Sequence, residues 1–261
     1  MLKKLGYNSA FSVQIGEVDS GMERNSEIVV ALLAGVAIVV VVVILALTVL
    51  SSHTFQARRP SPEAVLPTSQ VSRVYSYSGF TGIAASGAWH VTIRQGTDAK
   101  VSVTVPAGLA DAIDVSQEGS ILHFAMKSGT VETAGRLLAS VTMPDLTEVD
   151  ASGATYLTFS GFKGGDLLVR CSGAAAAYGS ESRFSRATIS ATGAADVGFR
   201  AAPTREAQVQ VSGAGRVVLT IDGGHLSGNA SGVSQVVYNG TASSVSVRTS
   251  GAARVVHAGT S

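Results

Sequence analysis

One tripeptide returns along the C-terminal two thirds of this chain at nearly constant spacing. Ser152-Gly153-Ala154, Ser172-Gly173-Ala174 and Thr192-Gly193-Ala194 are followed by Ser212-Gly213-Ala214, Ser231-Gly232-Val233 and Ser250-Gly251-Ala252. The glycine-to-glycine intervals are 20, 20, 20, 19 and 19. A fixed period of this size marks a chain built from stacked copies of one small unit. Ser86-Gly87-Ala88 stands apart from that spacing and reads as an outlier at the start of the domain.

Aligning the units on their Ser or Thr exposes the side-chain pattern. Three residues earlier stand Val149, Val169, Ile189, Val209, Gly228 and Val247; one residue earlier stand Ala151, Cys171, Ala191, Val211, Ala230 and Thr249. Between them lie Asp150, Arg170, Ser190, Gln210, Asn229 and Arg248. This period of two is that of a half-buried strand running into the glycine. Beyond the glycine a second apolar column appears at Leu157, Ala177, Val197, Val217, Val236 and Val255. Each unit therefore holds two short strands joined by a glycine corner.

A single unit of this kind cannot bury its apolar side. Stacking units at the strand spacing of about 4.8 Å closes a shared core and pairs the backbones of successive rungs. The predicted fold is all-β, a parallel β-solenoid or β-helix with rungs of about 20 residues. It is expected to be right-handed, as parallel crossovers almost always are. Glycine fits the corner through a positive φ or a close approach between rungs, and the Ser/Thr column is expected to pass hydroxyl hydrogen bonds along the stack. Composition agrees: 29 glycines and only 14% charged residues suit small side chains and tight corners. A meander of hairpins would need two-residue turns, and Asn239-Gly240 is the only Asn-Gly dipeptide.

The front of the domain differs. Residues 80–124 contain alternating runs such as Val91-Thr92-Ile93 and Val101-Ser102-Val103-Thr104-Val105, read as a strand-rich section covering the first rung. Trp89, the only tryptophan, is expected to pack there. Residues 129–139 show no pattern and read as a loop.

Ahead of the domain, residues 28–50 read IVVALLAGVAIVVVVVILALTVL, without a charge. At about 1.5 Å per residue such a helix covers a hydrocarbon core of roughly 30 Å. The run is too long for a signal-peptide core, and Ser51-Ser52-His53-Thr54 offers no small-residue cleavage site. The predicted organisation is a polar tail at 1–27, one transmembrane helix at 28–50, a Pro/Ser-rich linker at 51–77 and the solenoid at 78–261. Lys3, Lys4 and Arg24 on one side of the span and Arg58 and Arg59 on the other leave orientation undecided by charge.

No chemical constellation emerges. A formal charge of +1 provides no field for nucleic acid. The single Cys171 excludes an internal disulfide and falls in the inward column. His53, His90, His123, His225 and His257 lack metal-ligand spacing. A polysaccharide-cleaving enzyme would need clustered carboxylates, whereas Asp150, Asp166, Asp196 and Asp222 fall in different columns. Asp196 and Arg216 share a column and are expected to form a surface ion pair. Asn229 and Asn239 match the glycosylation sequon, which arises easily in Ser-rich repeats. The expectation is no catalytic residue, no cofactor and no metal.

Phe80-Thr81-Gly82-Ile83, Ser86-Gly87-Ala88-Trp89-His90-Val91, Val141-Thr142-Met143-Pro144-Asp145-Leu146 and the repeated corners occur in an order that resembles the bacterial head GIN domains, a family of autotransporter-adhesin type. The resemblance covers residues 80–258. It implies a β-solenoid outside the bacterial cytoplasmic membrane, with the tail inside, and no established reaction. The family usually repeats Ser-Gly-Ser-Gly-Asp; here only Asp196 fills the acidic position, against Tyr156, Ala176, Arg216, Gln235 and Arg254. The expected function is a membrane-tethered, extracytoplasmic, non-catalytic interaction module, adhesive or envelope-scaffolding. Expected partners are the membrane, a surface glycan or envelope protein, and a second copy paired through the last rung, where Val218, Val237 and Val256 form an outward apolar stripe. The alternatives are a polymerising β-helical scaffold on the cytoplasmic side, as in bactofilins, a carbohydrate-active enzyme, and an envelope-stress regulator signalling through the tail.

Overall fold

The computed structural model describes residues 69–127 and 136–259, and strands dominate both stretches. In chain order they are β1 (Gln70–Tyr75), β2 (Gly82–Gly87), β3 (Trp89–Gln95), β4 (Lys100–Pro106), β5 (Ile113–Glu118), β6 (Ile121–Met126), β7 (Leu137–Met143), β8 (Glu148–Gly153) and β9 (Tyr156–Ser160). They continue with β10 (Lys163–Cys171), β11 (Ala176–Ser180), β12 (Arg183–Gly193), β13 (Asp196–Gly213), β14 (Arg216–Asp222), β15 (His225–Ala230), β16 (Gln235–Thr241), β17 (Ser244–Thr249) and β18 (Arg254–His257). A single 3-10 turn, Ala107–Leu109, is the only described helix. None of the described helices is long and apolar enough to cross a membrane. The predicted tail at 1–27 and transmembrane segment at 28–50 lie outside the described residues.

The strands form a β-solenoid with two sheets. In the first, β6, β2, β8, β10, β12, the second half of β13, β15 and β17 pair in parallel in that order. In the second, β7, β3, β9, β11, the first half of β13, β14, β16 and β18 do the same. The expected columns are the observed registers: Val149, Val169 and Ile189 align on successive strands, as do Leu157, Ala177 and Val197. All six side chains belong to one buried cluster between the sheets. Burying a side chain of this size is worth about 1.5–3 kcal/mol, and the repeat sums that gain along the stack.

The corner glycines are required twice over. Gly193 has φ +80°, and a Cβ there would lie 2.8 Å from the carbonyl oxygen of Gly173 on the preceding rung. That same oxygen accepts the Ala194 N–H at 2.8 Å, and the next rung repeats the bond from Ala214 to Gly193. The expected hydroxyl ladder does not form. Ser152 and Ser231 instead donate to the carbonyls of Ala85 and Val211, at 3.5 and 3.4 Å. A neighbouring backbone oxygen offers a nearer, fixed acceptor than a rotating hydroxyl.

Three expectations about the front of the domain are corrected. Ser86-Gly87 is in register: Ser86 aligns with Ser152 and Gly87 with Gly153, and Ala154 N–H donates to Gly87 O at 2.8 Å. The β2–β3 rung is threaded between the β6–β7 rung and the β8–β9 rung, so an intervening excursion hides its place in the period. The front section thus supplies two rungs of its own. Antiparallel strands also lie against it: β1 pairs with β4, β4 with β7, and β5 with β6. Second, the stretch read as linker to residue 77 contains β1, pinned by Arg73 to Asp111 at 2.9 Å and by Ser72 to Thr104 at 2.7 Å. Third, residues 137–139, read as loop, open β7 because Leu137 and Ala139 are buried. Trp89 packs as expected, its ring 5.5 Å from that of Phe124.

Candidate functional site

On the outward face of the first sheet, charge is organised into ladders. Asp166, Arg186 and Glu206 occupy one register position on β10, β12 and β13. Arg186 Nη1 donates to Asp166 at 3.3 Å, while its Nε and Nη2 donate to Glu206 at 3.2 Å. Arg170 pairs with Glu148 and lies 4.0 Å from Asp150. Burial raises the Asp150 carboxyl above its ordinary value, against the opposing effect of Arg170. Of these groups Glu148, Asp166 and Arg186 border a groove of about 890 Å³, together with Asp145 and Lys163. A single guanidinium between two carboxylates leaves neither free to pair off as acid and base. The four aspartates keep separate columns as expected, but the column reading missed Glu206. It sits seven residues before its corner glycine, as Asp166 and Arg186 do, so the signal was present.

The outward face of the second sheet is different. One register row runs through His90, Tyr156, Ala176, Asp196, Arg216, Gln235 and Arg254. The His90 and Tyr156 rings are 4.6 Å apart and the Tyr156 and Tyr178 rings 5.5 Å apart, so three aromatic groups step across three rungs. Tyr156 is 40% exposed. Gly198 makes room for the Tyr178 ring, since a Cβ there would lie 2.6 Å from its Cδ1. The expected Asp196–Arg216 ion pair is replaced by another contact: Asp196 accepts the Tyr178 hydroxyl at 3.0 Å. Burial, with that hydrogen bond, pushes the Tyr178 hydroxyl up to about 12. The row opens at its β3 end into a groove of about 470 Å³ bordered by His90, Arg94, Arg136 and the hydroxyls of Thr92, Ser102 and Ser140.

Other residues singled out in the sequence make local contacts, and His53 lies outside the described residues. Cys171 is buried and its thiol is pushed up to about 12 by burial. His123 lies 4.0 Å from Glu118, His225 Nδ1 is 2.7 Å from Ser244 Oγ, and His257 stacks on Tyr238 at 4.6 Å. Among the described residues no group of three or more His, Cys, Asp or Glu is placed to hold a metal ion. Asn239 is buried and donates to Leu219 O at 3.3 Å, which removes it as a modification site. The outward valine stripe is largely covered: Val218 and Val237 are buried and only Val256 is exposed.

Similarity to known proteins agrees with the fold. The structure is similar to a crystal structure of a "putative adhesin" from Bacteroides fragilis, with TM-score 0.60 and 14% identity over 72% of this chain and 97% of that one. It is also similar to a "putative adhesin" from Parabacteroides merdae, with TM-score 0.45 and 17% identity over 72% and 95% of the two chains. A "putative lipid binding protein" from Parabacteroides distasonis gives 0.45 and 15% over 72% and 96%. No curated protein matches. Residues 79–259 match the model of the family described as "Putative auto-transporter adhesin, head GIN domain", and the chain belongs to that family.

Proposed function

We propose that this chain is a membrane-tethered, extracytoplasmic β-solenoid whose exposed sheet faces bind surface partners without catalysis. The observation that carries this reading is the outward face of the second sheet, where aromatic and charged side chains, acidic Asp196 among them, align in one row across successive rungs. Its relatives include a crystallised "putative adhesin" of the same fold. The non-catalytic part is supported by the arginine-held carboxylates of the first sheet and by the buried, proton-retaining Cys171. The tether rests on the uncharged run at 28–50 and the prolines at 60, 62 and 67 behind it.

Topology tests this directly. A compartment-sensitive reporter fused after Ser261, with protease access compared in whole cells and spheroplasts, is expected to locate the solenoid outside the cytoplasmic membrane. A cytoplasmic reporter would discard the reading in favour of an intracellular scaffold.

A further inference from the structure

The arginines of the two outward faces differ in what holds them. On the first, Arg170 and Arg186 are each held between carboxylates. On the second, the guanidinium groups of Arg94, Arg136 and Arg216 make no ion pair or hydrogen bond among the described residues. Arg94 and Arg136 border the same groove, which has hydroxyls in its wall and no carboxylate among its described lining residues. His90 belongs both to that groove and to the aromatic row, its ring 4.6 Å from that of Tyr156. A cationic pocket therefore opens directly onto an exposed tyrosine.

We propose that this groove and the adjoining aromatic row bind an acidic polysaccharide. Its carboxylates are held by Arg94 and Arg136, and the C–H face of a neighbouring pyranose rests on the Tyr156 ring. The planar guanidinium matches a carboxylate through paired N–H donors. The electron-rich ring face of tyrosine attracts the positively polarised C–H groups of a sugar. A polymer lying along the solenoid axis meets a new side chain at each rung, about 4.8 Å apart, and passes from His90 onto Tyr156. On an anionic lipid surface the arginines would meet phosphates and the ring would sit at headgroup level, an outcome the test below separates. This inference rests on the interaction-module reading and names its ligand and its face.

The test is calorimetric titration of the purified full-length protein in detergent with oligogalacturonate and oligosialate, alongside methyl-esterified oligogalacturonate. Tyr156→Ala, Arg94→Gln and, on the opposite sheet, Arg170→Gln are compared, each checked for an unchanged thermal transition. Binding of a carboxylated oligosaccharide, weakened about tenfold or more by Tyr156→Ala and by Arg94→Gln as expected for central contacts, supports the proposal. Retained affinity in Arg170→Gln and a loss on methyl esterification complete the expected result. Binding to neither oligosaccharide overturns it, as does equal weakening by all three substitutions. Binding only to phosphatidylglycerol vesicles, lost in Arg94→Gln, overturns it in favour of a lipid surface. Cell adhesion that persists in both Tyr156→Ala and Arg94→Gln discards this site while leaving the adhesive reading intact.

Discussion

Gly228 stands in a column otherwise filled by Val149, Val169, Ile189, Val209 and Val247, so restoring a valine looks like an improvement. Its backbone forbids it: φ is +136°, and a Cβ would lie 1.8 Å from the Val209 carbonyl oxygen. Gly228→Val is therefore expected to destabilise the fold by about 1–3 kcal/mol through backbone strain alone, read as a lower urea midpoint. Cys171 gives a second outcome at this scale. Burial raises its thiol from 9.0 to about 12, so the fold holds the protonated form. That contribution is complete below pH 9 and is lost as the pH rises toward about 12. Urea midpoints followed across this range should fall more steeply for the native protein than for Cys171→Ala. The native thiol should also resist alkylation until the chain unfolds.

Along the elements, the Asp166–Arg186–Glu206 ladder ties three strands at their surface. All three side chains are about half exposed or more, so Arg186→Ala should cost no more than about 1 kcal/mol. The difference should shrink in high salt, as thermal melts at two ionic strengths would show. Such ladders were legible in principle, because a period of twenty converts offset from the corner glycine into spatial row. The second strand column was read the same way, and its burial follows that reading. What escaped was whatever lacks the period. Strands β1 and β4 run antiparallel and owe their place to pairing rather than repetition. The register of Ser86-Gly87 is masked by the excursion through β4 to β7. The pairing of Tyr178 with Asp196 required knowing that Gly198 lets an aromatic ring lean across a rung. The groove beside Arg94 and Arg136 also needed three dimensions, since it is bordered by β3, β4 and β7 together.

For the whole molecule, a solenoid is close to one-dimensional: each rung touches its neighbours and little else. Removing residues 214–232 would join Gly213 to Val233, which then takes the place of Ala214, whose N–H bonds to Gly193 O at 2.8 Å. That deletion should leave a cooperative, strand-rich fold with a lower midpoint. Removing only residues 214–223 would break the register and should abolish the transition, both read by circular dichroism. The front of the stack departs from this modularity, because β2 is inserted between β6 and β8, both of which follow it in the chain. A strand at the rim of a sheet can be peeled away one bond at a time, whereas β2 is enclosed by later parts of the chain. If the amino-terminal side is the tether, a load applied to the bound face travels through β1 and into that inserted rung. The threaded connection then serves as a mechanical fastener, placed where a pulled protein would otherwise begin to unravel.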